Sequence, residues 1–341
     1  MAQGSAIGEG GTVKNYLSLV KFSHTIFAMP FAVIGFFLGA FSYSVSLVPG
    51  WHITVFSQLG AKQWNLNKTI GWDKGVPVFY SYGDVAIKFL LVLVCMVTAR
   101  SAAMAFNRYL DRSFDAKNPR TAIREIPRGI IAPQSALRFV ILNCVIFVTA
   151  TFFINSICFY LSPLALFVVL FYSYTKRFTP LCHLVLGLGL SLAPIGAYLA
   201  VTGRFDVLPL LFSLAVICWV SGFDIIYALQ DIDFDKSQKL YSIPAALGKK
   251  SALHVSELLH VLSAACVIAA GIYGHFHFVY WIGIAVFVGM LIYQHSIVKP
   301  NDLSKVNIAF MTANGIASVV FGVLVIADLF IPWGGAWHLN N

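Results

Sequence analysis

Residues 107–121 read NRYLDRSFDAKNPRT, and they follow directly on the apolar run KFLLVLVCMVTARSAAMAF at residues 88–106. A cluster of charged side chains at the end of an apolar segment is unusual, because lipid tolerates charge badly. Such residues are therefore expected to act at the edge of a membrane or inside a cavity.

The composition of the whole chain is that of a membrane protein. Of its 341 residues, 59% are hydrophobic and 11% are charged, and the mean hydropathy is +0.80. A soluble protein cannot keep that much apolar surface away from water. Apolar runs of about 20 residues, enough to cross a ~30 Å hydrocarbon core, recur along the chain and predict helices, because backbone groups in lipid must bond within their own segment. The nine predicted spans are 20–41, 86–107, 136–157, 161–176, 183–202, 207–230, 252–273, 277–298 and 306–331.

The net charge of +9 is distributed as in a membrane protein and not as in a nucleic-acid-binding protein. Fifteen Lys and Arg residues fall in four alternate loops, against five on the opposite side. By the positive-inside rule the basic loops are cytoplasmic, which places the N-terminus inside and the C-terminus outside. We therefore expect an integral protein of a bacterial-type inner membrane, with the lipid bilayer and no nucleic acid among its partners.

The sequence predicts a single membrane domain, residues 14–335. A flexible, Gly-rich tail at 1–13 precedes it and a short tail at 336–341 follows it. The first tail has no basic segment before an apolar core, so no cleavable signal peptide is expected. A long loop at 42–84 follows the first span and suggests no chemistry. The six cysteines lie in or beside apolar segments without CxxC pairing, which indicates reduced thiols rather than disulfides or zinc ligands.

Acidic side chains gather at the ends of two predicted spans. Asn107, Asp111 and Asp115 are spaced by four residues, so they drift only about 80° around a helix and point into one sector. The stretch DIIYALQDIDFDK, residues 224–236, carries a second set in similar phase. The members in phase are Asp224, Tyr227, Asp231 and Asp235. Asp233 is out of phase and should face solvent.

Two inward-pointing carboxylate clusters on the same side of the membrane predict a site for hard cations. Acids alone cannot hold a diphosphate, but Mg²⁺ binds one or two carboxylates together with phosphate oxygens. Two clusters suggest two bridging Mg²⁺ ions, which would stabilise the charge on a departing diphosphate. The predicted metal ligands are Asn107, Asp111, Asp115, Asp231 and Asp235. The basic residues expected to contact the phosphates are Arg112, Lys117, Arg120, Arg124, Lys176, Arg177 and Lys236.

A third polar stretch, YSYTKRFTP at residues 172–180, lies at the cytoplasmic end of another predicted span. Tyr172 and Lys176 are four residues apart and lie on the same side of the membrane as both acidic clusters. We interpret Lys176 as a residue that reaches the diphosphate and Tyr172 as one that orients it. The alternative is that Lys176 and Arg177 form a positive-inside anchor.

Other candidates are single polar residues in or beside the spans. Arg100 lies two turns before Asn107 on the same helix face, and an Arg at that depth should point into a cavity, unless it only pairs with an Asp. Lys21 and His24 open the first span and are weaker candidates for substrate binding. His183 stays undecided between a structural and a catalytic role.

These motifs resemble those of the UbiA superfamily of intramembrane prenyltransferases. The family's signatures are an NxxxDxxxD motif, a second DxxxD motif and a YxxxK motif, which NRYLDRSFD, DIDFD and YSYTK match here. The longer strings NRYLDRSFDAKNPRT and YSYTKRFT are most similar to the 4-hydroxybenzoate polyprenyltransferase branch. That branch includes relatives that prenylate a dihydroxynaphthoate in menaquinone synthesis. The resemblance covers residues 14–331.

The resemblance implies an all-α polytopic fold with nine transmembrane helices around a central cavity and polar caps over its cytoplasmic mouth. It implies Mg²⁺-dependent transfer of a polyprenyl group from its diphosphate to an aromatic acid, 4-hydroxybenzoate or a dihydroxynaphthoate, in ubiquinone or menaquinone biosynthesis. We expect Asp224 to accept a proton from the acceptor phenol, Arg100 to bind the acceptor carboxylate and Tyr227 to stabilise the prenyl cation. The stretch REIPRG at 124–129 and the long first loop depart from the family pattern and leave the acceptor open.

Two other functional classes stay open at this point. A secondary transporter also carries Asp and Arg within its spans, although transporters place such residues near the bilayer midplane. Another intramembrane enzyme, such as a phosphatase or a terpene cyclase, would release diphosphate without an aromatic partner. Within the resembling family, haem, chlorophyll and naphthoate acceptors remain alternatives.

Overall fold

The computed structural model describes residues 13–21, 27–48, 51–56, 69–73, 76–80 and 82–331, and its membrane-embedded part is helical, as predicted. The helices are α1 (Val13–Leu19), α2 (Met29–Phe41), α3 (Tyr82–Asp115), α4 (Pro133–Ile154), α5 (Ser156–Thr175), α6 (Cys182–Thr202), α7 (Val207–Ala228), α8 (Ile232–Ser237), α9 (Ile243–Tyr273), α10 (Phe278–Ile297) and α11 (Asn314–Phe330). A 3-10 turn at Leu229–Asp231 joins α7 to α8, and a π-helical turn at Ile308–Ala313 precedes α11.

Within the described part of the chain, eight helical segments are long and apolar enough to cross a bilayer. The first predicted span, 20–41, differs from the prediction. Its helix α2 has only 13 residues, which at 1.5 Å per residue is about 20 Å, less than a ~30 Å hydrocarbon core. Lys21 has a φ of 42°, in the left-handed region that a continuing helix cannot adopt. The count of nine full-length spans is therefore not confirmed.

The segment predicted as a long loop, 42–84, contains two β-hairpins. Strand β1 (Ser42–Val48) pairs antiparallel with β2 (Trp51–Phe56), and β3 (Thr69–Asp73) pairs antiparallel with β4 (Val76–Tyr80). The alternation of polar and apolar residues in SYSVSLV favours a strand over a loop, and a Gly follows a Pro or a Lys between the paired strands. Both features of the sequence indicate hairpins rather than a loop.

Helix α7 lies at the centre of the packing. It contacts α6 on one side and α9 on the other, while α3, α4 and α5 pack together beside α6. The indole of Trp219 in α7 is fully buried, and its centroid lies 5.3 Å from the ring of Phe31 and 5.8 Å from the ring of Phe287. Aromatic contacts at such distances add about 0.5–1.5 kcal/mol per pair beyond area burial. The second acidic cluster therefore begins in the last turns of this buried helix.

Helix α2 docks closely on α6 in spite of its length. A Cβ added at Gly35 would lie 2.0 Å from the carbonyl oxygen of Pro194. Small residues at such points let membrane helices approach each other, because lipid supplies no hydrophobic drive between them. Gly35 therefore allows the close approach of α2 to α6.

Candidate active site

The first acidic cluster occupies the last three turns of α3, as predicted. The amide of Asn107 donates to Oδ2 of Asp111 at 3.3 Å. Asp111 is almost wholly buried, and it pairs with Nζ of Lys176 at 2.6 Å and with a guanidinium nitrogen of Arg177 at 3.0 Å. The C-terminal end of α5 thus supplies both cations that neutralise this carboxylate. The contact joins the first acidic motif to the Tyr–Lys motif.

Asp115, the last residue of α3, is held by the loop that follows it. A guanidinium nitrogen of Arg124 lies 2.6 Å from Oδ1 of Asp115. The hydroxyl of Thr121 donates to the backbone carbonyl of Asp115 at 3.1 Å. Oδ2 of Asp115 is buried and has no hydrogen-bond partner among the described residues. One acceptor position on this carboxylate is therefore available to a further donor or a cation.

The second cluster does not lie on one continuous helix, which corrects the prediction. Asp224 and Tyr227 belong to α7, which ends at Ala228, whereas Asp231 closes the 3-10 turn and Asp235 lies on α8. A 3-10 turn has three residues per turn, about 120° per residue, so 100° per residue does not apply across the break. Asp233 on α8 is exposed, as predicted.

The loop between α3 and α4 connects the two clusters. Nε of Arg120 donates to Oδ1 of Asp231 at 3.1 Å, and a terminal nitrogen pairs with its Oδ2. The other terminal nitrogen donates to the hydroxyl of Tyr227 at 2.8 Å, and the guanidinium carbon lies 5.1 Å from the centre of that ring. The amide of Asn118 also donates to Asp231, at 3.3 Å. Burial opposes the charge on Arg120, but Asp231 and Tyr227 outweigh it and raise the pKa of the guanidinium.

Asp235 completes the junction between the clusters. Its Oδ2 accepts a hydrogen bond from the hydroxyl of Ser242 at 2.8 Å. It interacts electrostatically with Asp231, with Lys176 and with His183. Lys176 therefore lies between the two motifs, since it pairs with Asp111 and is within electrostatic reach of Asp235. The structure thus brings the two acidic helix ends together.

A second group of polar residues lies deeper in the membrane. Tyr172 interacts electrostatically with Asp111, Asp224 and Arg100. Oδ2 of Asp224 lies 2.7 Å from Nδ1 of His183. The backbone N–H of residue 243 approaches Nε2 of His183 at 3.4 Å, so Nδ1 carries the hydrogen that is donated to Asp224. His183, which the sequence left undecided, is thereby placed as the partner of the expected proton acceptor.

An apolar cavity begins beside this group and extends away from the acidic clusters. Its volume is about 490 Å³, and Arg100 and Tyr172 are among its lining residues at one end. The walls come from α3, α4, α5 and α6, and they include Cys95 and Cys158. All six cysteines are free thiols, as predicted. Nε of Arg100 is buried without a hydrogen-bond partner among the described residues.

Several predicted substrate-binding residues lie outside the ion-pair network. Arg112 donates to the carbonyl of Tyr109 at 2.6 Å and stacks on its ring, so it turns back on its own helix. Lys117 donates to Gln238 at 3.2 Å. Lys236 is exposed on α8 and forms no ion pair with any described residue. None of these three side chains contacts an acid of either motif among the described residues. Their role as phosphate ligands therefore stays a prediction.

The two N-terminal candidates have different outcomes. Lys21 follows α1, and burial together with the charges of Arg108 and Arg120 lowers the pKa of its amine, against the opposing charge of Glu125. Lys21 therefore lies near the loop that carries Arg120. His24 falls outside the described residues.

Sequence reasoning missed two polar residues of the site. Arg108 is 4% exposed, and its Nε and Nη1 atoms have no partner among the described residues. A helical projection could have found it, because seven residues separate it from Asp115, which puts the two within about 20°. Asn118, which precedes Pro119 in the loop after α3, donates its amide to Asp231 at 3.3 Å.

The acidic side chains of the two motifs are the predicted ligands of magnesium. The described residues contain no group of three or more His, Cys, Asp or Glu side chains placed to hold a metal by themselves. Lys176 instead pairs with Asp111 and is within electrostatic reach of Asp235, Arg120 pairs with Asp231, and one oxygen of Asp115 has no partner among the described residues. Hard carboxylate oxygens from two elements fit Mg²⁺ in the mode in which substrate phosphates complete the coordination. The residues therefore fit a metal bound together with a diphosphate.

Comparisons with known proteins show the family of the chain. Residues 76–316 match the model of the UbiA prenyltransferase family. The chain is 29% identical over 248 residues to the 4-hydroxybenzoate octaprenyltransferase of Tolumonas auensis, covering 72% of this chain and 86% of the relative. It is 27% identical over 250 residues to the enzyme of the same name from Francisella tularensis subsp. novicida, covering 73% and 88%.

Solved structures show the same fold. The apo structure of a UbiA homologue from Aeropyrum pernix K1 superposes with a TM-score of 0.71 and 28% identity, over 90% of this chain and 98% of that one. A UbiA homologue from Archaeoglobus fulgidus, bound to GPP and Mg²⁺, gives a TM-score of 0.63 at 17% identity, over 92% and 99%. At that identity the second likeness concerns the fold alone. The family match covers well over half of the chain, and the protein therefore belongs to the UbiA prenyltransferase family, as an integral membrane enzyme of prenyl transfer.

Proposed function

We propose that this protein transfers a polyprenyl group from polyprenyl diphosphate to an aromatic acid, 4-hydroxybenzoate or a dihydroxynaphthoate, in quinone biosynthesis. The observation that carries the proposal is the junction of two acidic helix ends, with Lys176 paired to Asp111 and Arg120 paired to Asp231, beside an apolar cavity. The names of the relatives support 4-hydroxybenzoate as the first acceptor to test. The distribution of the basic loops supports a site on the cytoplasmic side of a bacterial-type inner membrane.

The acidic residues would hold the diphosphate through Mg²⁺, for which we propose two ions. Asn107, Asp111 and Asp115 would take one part of the metal site, and Asp231 and Asp235 the other. Bound Mg²⁺ would supply positive charge that stabilises the departing diphosphate. Each of these acids except Asp235 is paired with a cation or an amide, so the site is close to neutral by itself. That charge balance suits an incoming group that carries both metal cations and phosphate anions.

The cations of the site would then face the phosphate oxygens. Lys176 pairs with Asp111, and a carboxylate that turns to a metal would release its cation for the anionic substrate. Arg120 would stay on Asp231 and Tyr227 and add its charge beside the phosphates. Arg124 is placed in the same way beside Asp115. A forked guanidinium matches phosphate geometry, whereas the lysine provides a point charge. Together these groups would stabilise the departing diphosphate in the transition state.

The cavity would hold the first part of the prenyl chain. Its lining is largely apolar, so the chain would replace water there, and water must be kept from the allylic cation or it is quenched to an alcohol. Phe310 and Tyr227 stack with their ring centroids 4.2 Å apart. A cation over such a ring gains roughly 0.5–2 kcal/mol. We assign Tyr227 to this role and the apolar lining to the chain.

The acceptor would bind between Arg100 and Asp224. The guanidinium of Arg100 has a buried nitrogen with no partner among the described residues, and a carboxylate on the acceptor would supply one. Asp224, oriented by His183 at 2.7 Å, would accept the phenolic proton and so make the ring richer in electrons. Tyr172 interacts electrostatically with both Asp224 and Arg100 and would fix the ring's position.

The proposal is tested by prenylation assays on Asp111→Ala, Asp231→Ala and Arg100→Ala, with Asp233→Ala as the control. Asp233 is an acid of the same motif stretch that points to solvent. We expect turnover to fall by at least about a hundredfold in the first two variants, on the scale of losing a transition-state charge contact. We expect Arg100→Ala to raise the KM for the acid. Unchanged turnover in both Asp variants, or an unaltered acceptor KM in Arg100→Ala, would remove the corresponding role.

The acceptor itself is identified by mass. Membranes that contain the protein, one polyprenyl diphosphate and Mg²⁺ are incubated with single aromatic acids, and the prenylated products are weighed by mass spectrometry. We expect a prenylated 4-hydroxybenzoate or dihydroxynaphthoate. Release of diphosphate with no prenylated aromatic product from any acid would instead indicate a different intramembrane enzyme of the same family.

A further inference from the structure

A π-helical turn at Ile308–Ala313 precedes the last transmembrane helix, and a single buried amide holds it. The side chain of Asn314 donates to the carbonyl of Phe310 at 2.9 Å and to the carbonyl of Ala309 at 3.4 Å. A π turn widens the helix and displaces its carbonyls from their regular partners, and buried carbonyls must find others. Asn314 supplies those partners.

The same amide ties the π turn to two neighbouring helices. Oδ1 of Asn314 accepts from the indole N–H of Trp219 on α7 at 3.0 Å and from the amide of Gln294 on α10 at 2.7 Å. All three side chains are fully buried. Both lone pairs and both N–H groups of the Asn314 amide are thus used, which is the full capacity of an amide. The Asn314 amide therefore fixes the π turn against α7 and α10, although Oε1 of Gln294 is buried without a hydrogen-bond partner among the described residues.

The π turn directs Phe310 towards the proposed active site. The ring of Phe310 stacks on Tyr227 with centroids 4.2 Å apart and an interplanar angle of 30°. The ring of Phe223 packs against its edge at 5.5 Å. Tyr227 in turn accepts a hydrogen bond from Arg120 at 2.8 Å, and Arg120 holds Asp231. An unbroken series of contacts therefore runs from the buried amide to the second acidic motif.

We propose that Phe310 and the Asn314 amide are positioning residues that hold Tyr227 and Arg120 against Asp231. A π turn contains one residue more than a regular turn, and in a regular helix each residue turns the chain by about 100°. Removing the extra residue would therefore carry the ring of Phe310 away from Tyr227. The inference rests on the proposed function, because it assigns these residues to the Mg²⁺–diphosphate end of that site.

The experiment compares Phe310→Leu with Phe321→Leu. Phe321 lies on α11, is fully buried, and packs against Phe287 with the ring centroids 5.2 Å apart. We expect Phe310→Leu to raise the KM for polyprenyl diphosphate and the Mg²⁺ concentration at half-maximal rate by about three- to tenfold, the effect of losing one stacked aromatic pair. The acceptor KM should not change. Phe310→Tyr, which keeps the flat ring, should restore both values, and Phe321→Leu should lower only the unfolding temperature.

A double-mutant cycle with Tyr227→Leu separates positioning from general loosening. If Phe310 acts through Tyr227, then Phe310→Leu adds no further change to the KM in the Tyr227→Leu background. If Phe310→Leu does not fold, Phe310→Met replaces it in the experiment, because methionine fills the volume with a flexible side chain. We expect the same rise in the KM for polyprenyl diphosphate from Phe310→Met. Equal KM changes in Phe310→Leu and Phe321→Leu, or additive changes in the cycle, would overturn the proposal.

The readouts also distinguish this inference from the proposed function. Mg²⁺-dependent binding of a polyprenyl thiolodiphosphate can be measured by calorimetry without any acceptor. A wild-type protein that binds this analogue but prenylates no aromatic acid contradicts the proposed function, and the effect of Phe310→Leu on binding still decides the inference. Prenylation by the wild type with unaltered analogue binding in Phe310→Leu contradicts the inference alone.

Discussion

Replacing Arg120 by lysine tests how the two acidic motifs are joined. Arg120 offers two nitrogens to Asp231 and a third to Tyr227. A lysine keeps the charge but has no fork, so it can replace only about one of these three contacts. The substitution therefore separates the geometry of the bridge from its charge.

The magnitude follows from the contacts that are lost. A hydrogen bond to a charged group contributes about 1.5–3 kcal/mol when well buried. The side chain of Arg120 is 33% exposed, so solvent screening reduces that to about 1 kcal/mol for each of two lost contacts. A total of about 2 kcal/mol corresponds to roughly a thirtyfold fall in kcat/KM for polyprenyl diphosphate.

The assay measures initial prenylation rates with the protein in lipid nanodiscs at saturating acceptor, and thermal unfolding of the same samples. Arg128→Lys is the matched control, because Arg128 is an exposed arginine of the same loop. We expect the control to stay within about twofold of the wild type, as surface changes usually do. The reasoning is refuted if Arg120→Lys keeps the wild-type kcat/KM, or if Arg128→Lys falls by the same factor.

Three further outcomes follow from the structure. His183→Leu should lower kcat about tenfold and leave the diphosphate KM unaltered in acceptor-saturated kinetics, because Asp224 loses the 2.7 Å contact that orients it; a changed diphosphate KM would contradict this assignment. Gly35→Ala should lower the unfolding temperature, since its Cβ would lie 2.0 Å from the Pro194 carbonyl and overpacking costs about 1–3 kcal/mol. Gly196→Ala is its control, because a Cβ added at Gly196 would meet no atom from another part of the described chain within 4 Å. An equal fall in the unfolding temperature of both variants would refute the packing argument. Chelation of divalent cations should abolish prenylation and added Mg²⁺ should restore it, whereas turnover in excess chelator would exclude the metal.

Much of the site could be predicted from the sequence because helical periodicity is local. Asn107, Asp111 and Asp115 share one face of α3 as their spacing requires, and Tyr172 and Lys176 fall beside them. Such inferences need only the rotation per residue and the end of an apolar run. They succeed wherever one helix continues without a break.

The parts that were missed depend on contacts between elements or on breaks in a helix. The 3-10 turn at Leu229–Asp231 and the π turn at Ile308–Ala313 change the rotation per residue along the helix. Neither turn contains a Pro or a Gly that would indicate it in the sequence. Arg120 could be recognised as a cation of the site, but its pairing with Asp231, over a hundred positions away, follows only from packing. The short α2 escaped notice because apolar composition does not reveal a left-handed residue such as Lys21.

The central claim is that both acidic motifs act on one substrate head group. Calorimetric titration of a polyprenyl thiolodiphosphate, with and without Mg²⁺, tests it in the wild type, Asp111→Asn, Asp231→Asn and the control Asp233→Asn. The account predicts that each of the first two substitutions weakens Mg²⁺-dependent binding by about tenfold or more, as expected for loss of a buried metal ligand, while the control binds as the wild type does. Wild-type affinity in either Asp111→Asn or Asp231→Asn would show that its motif takes no part in holding the diphosphate.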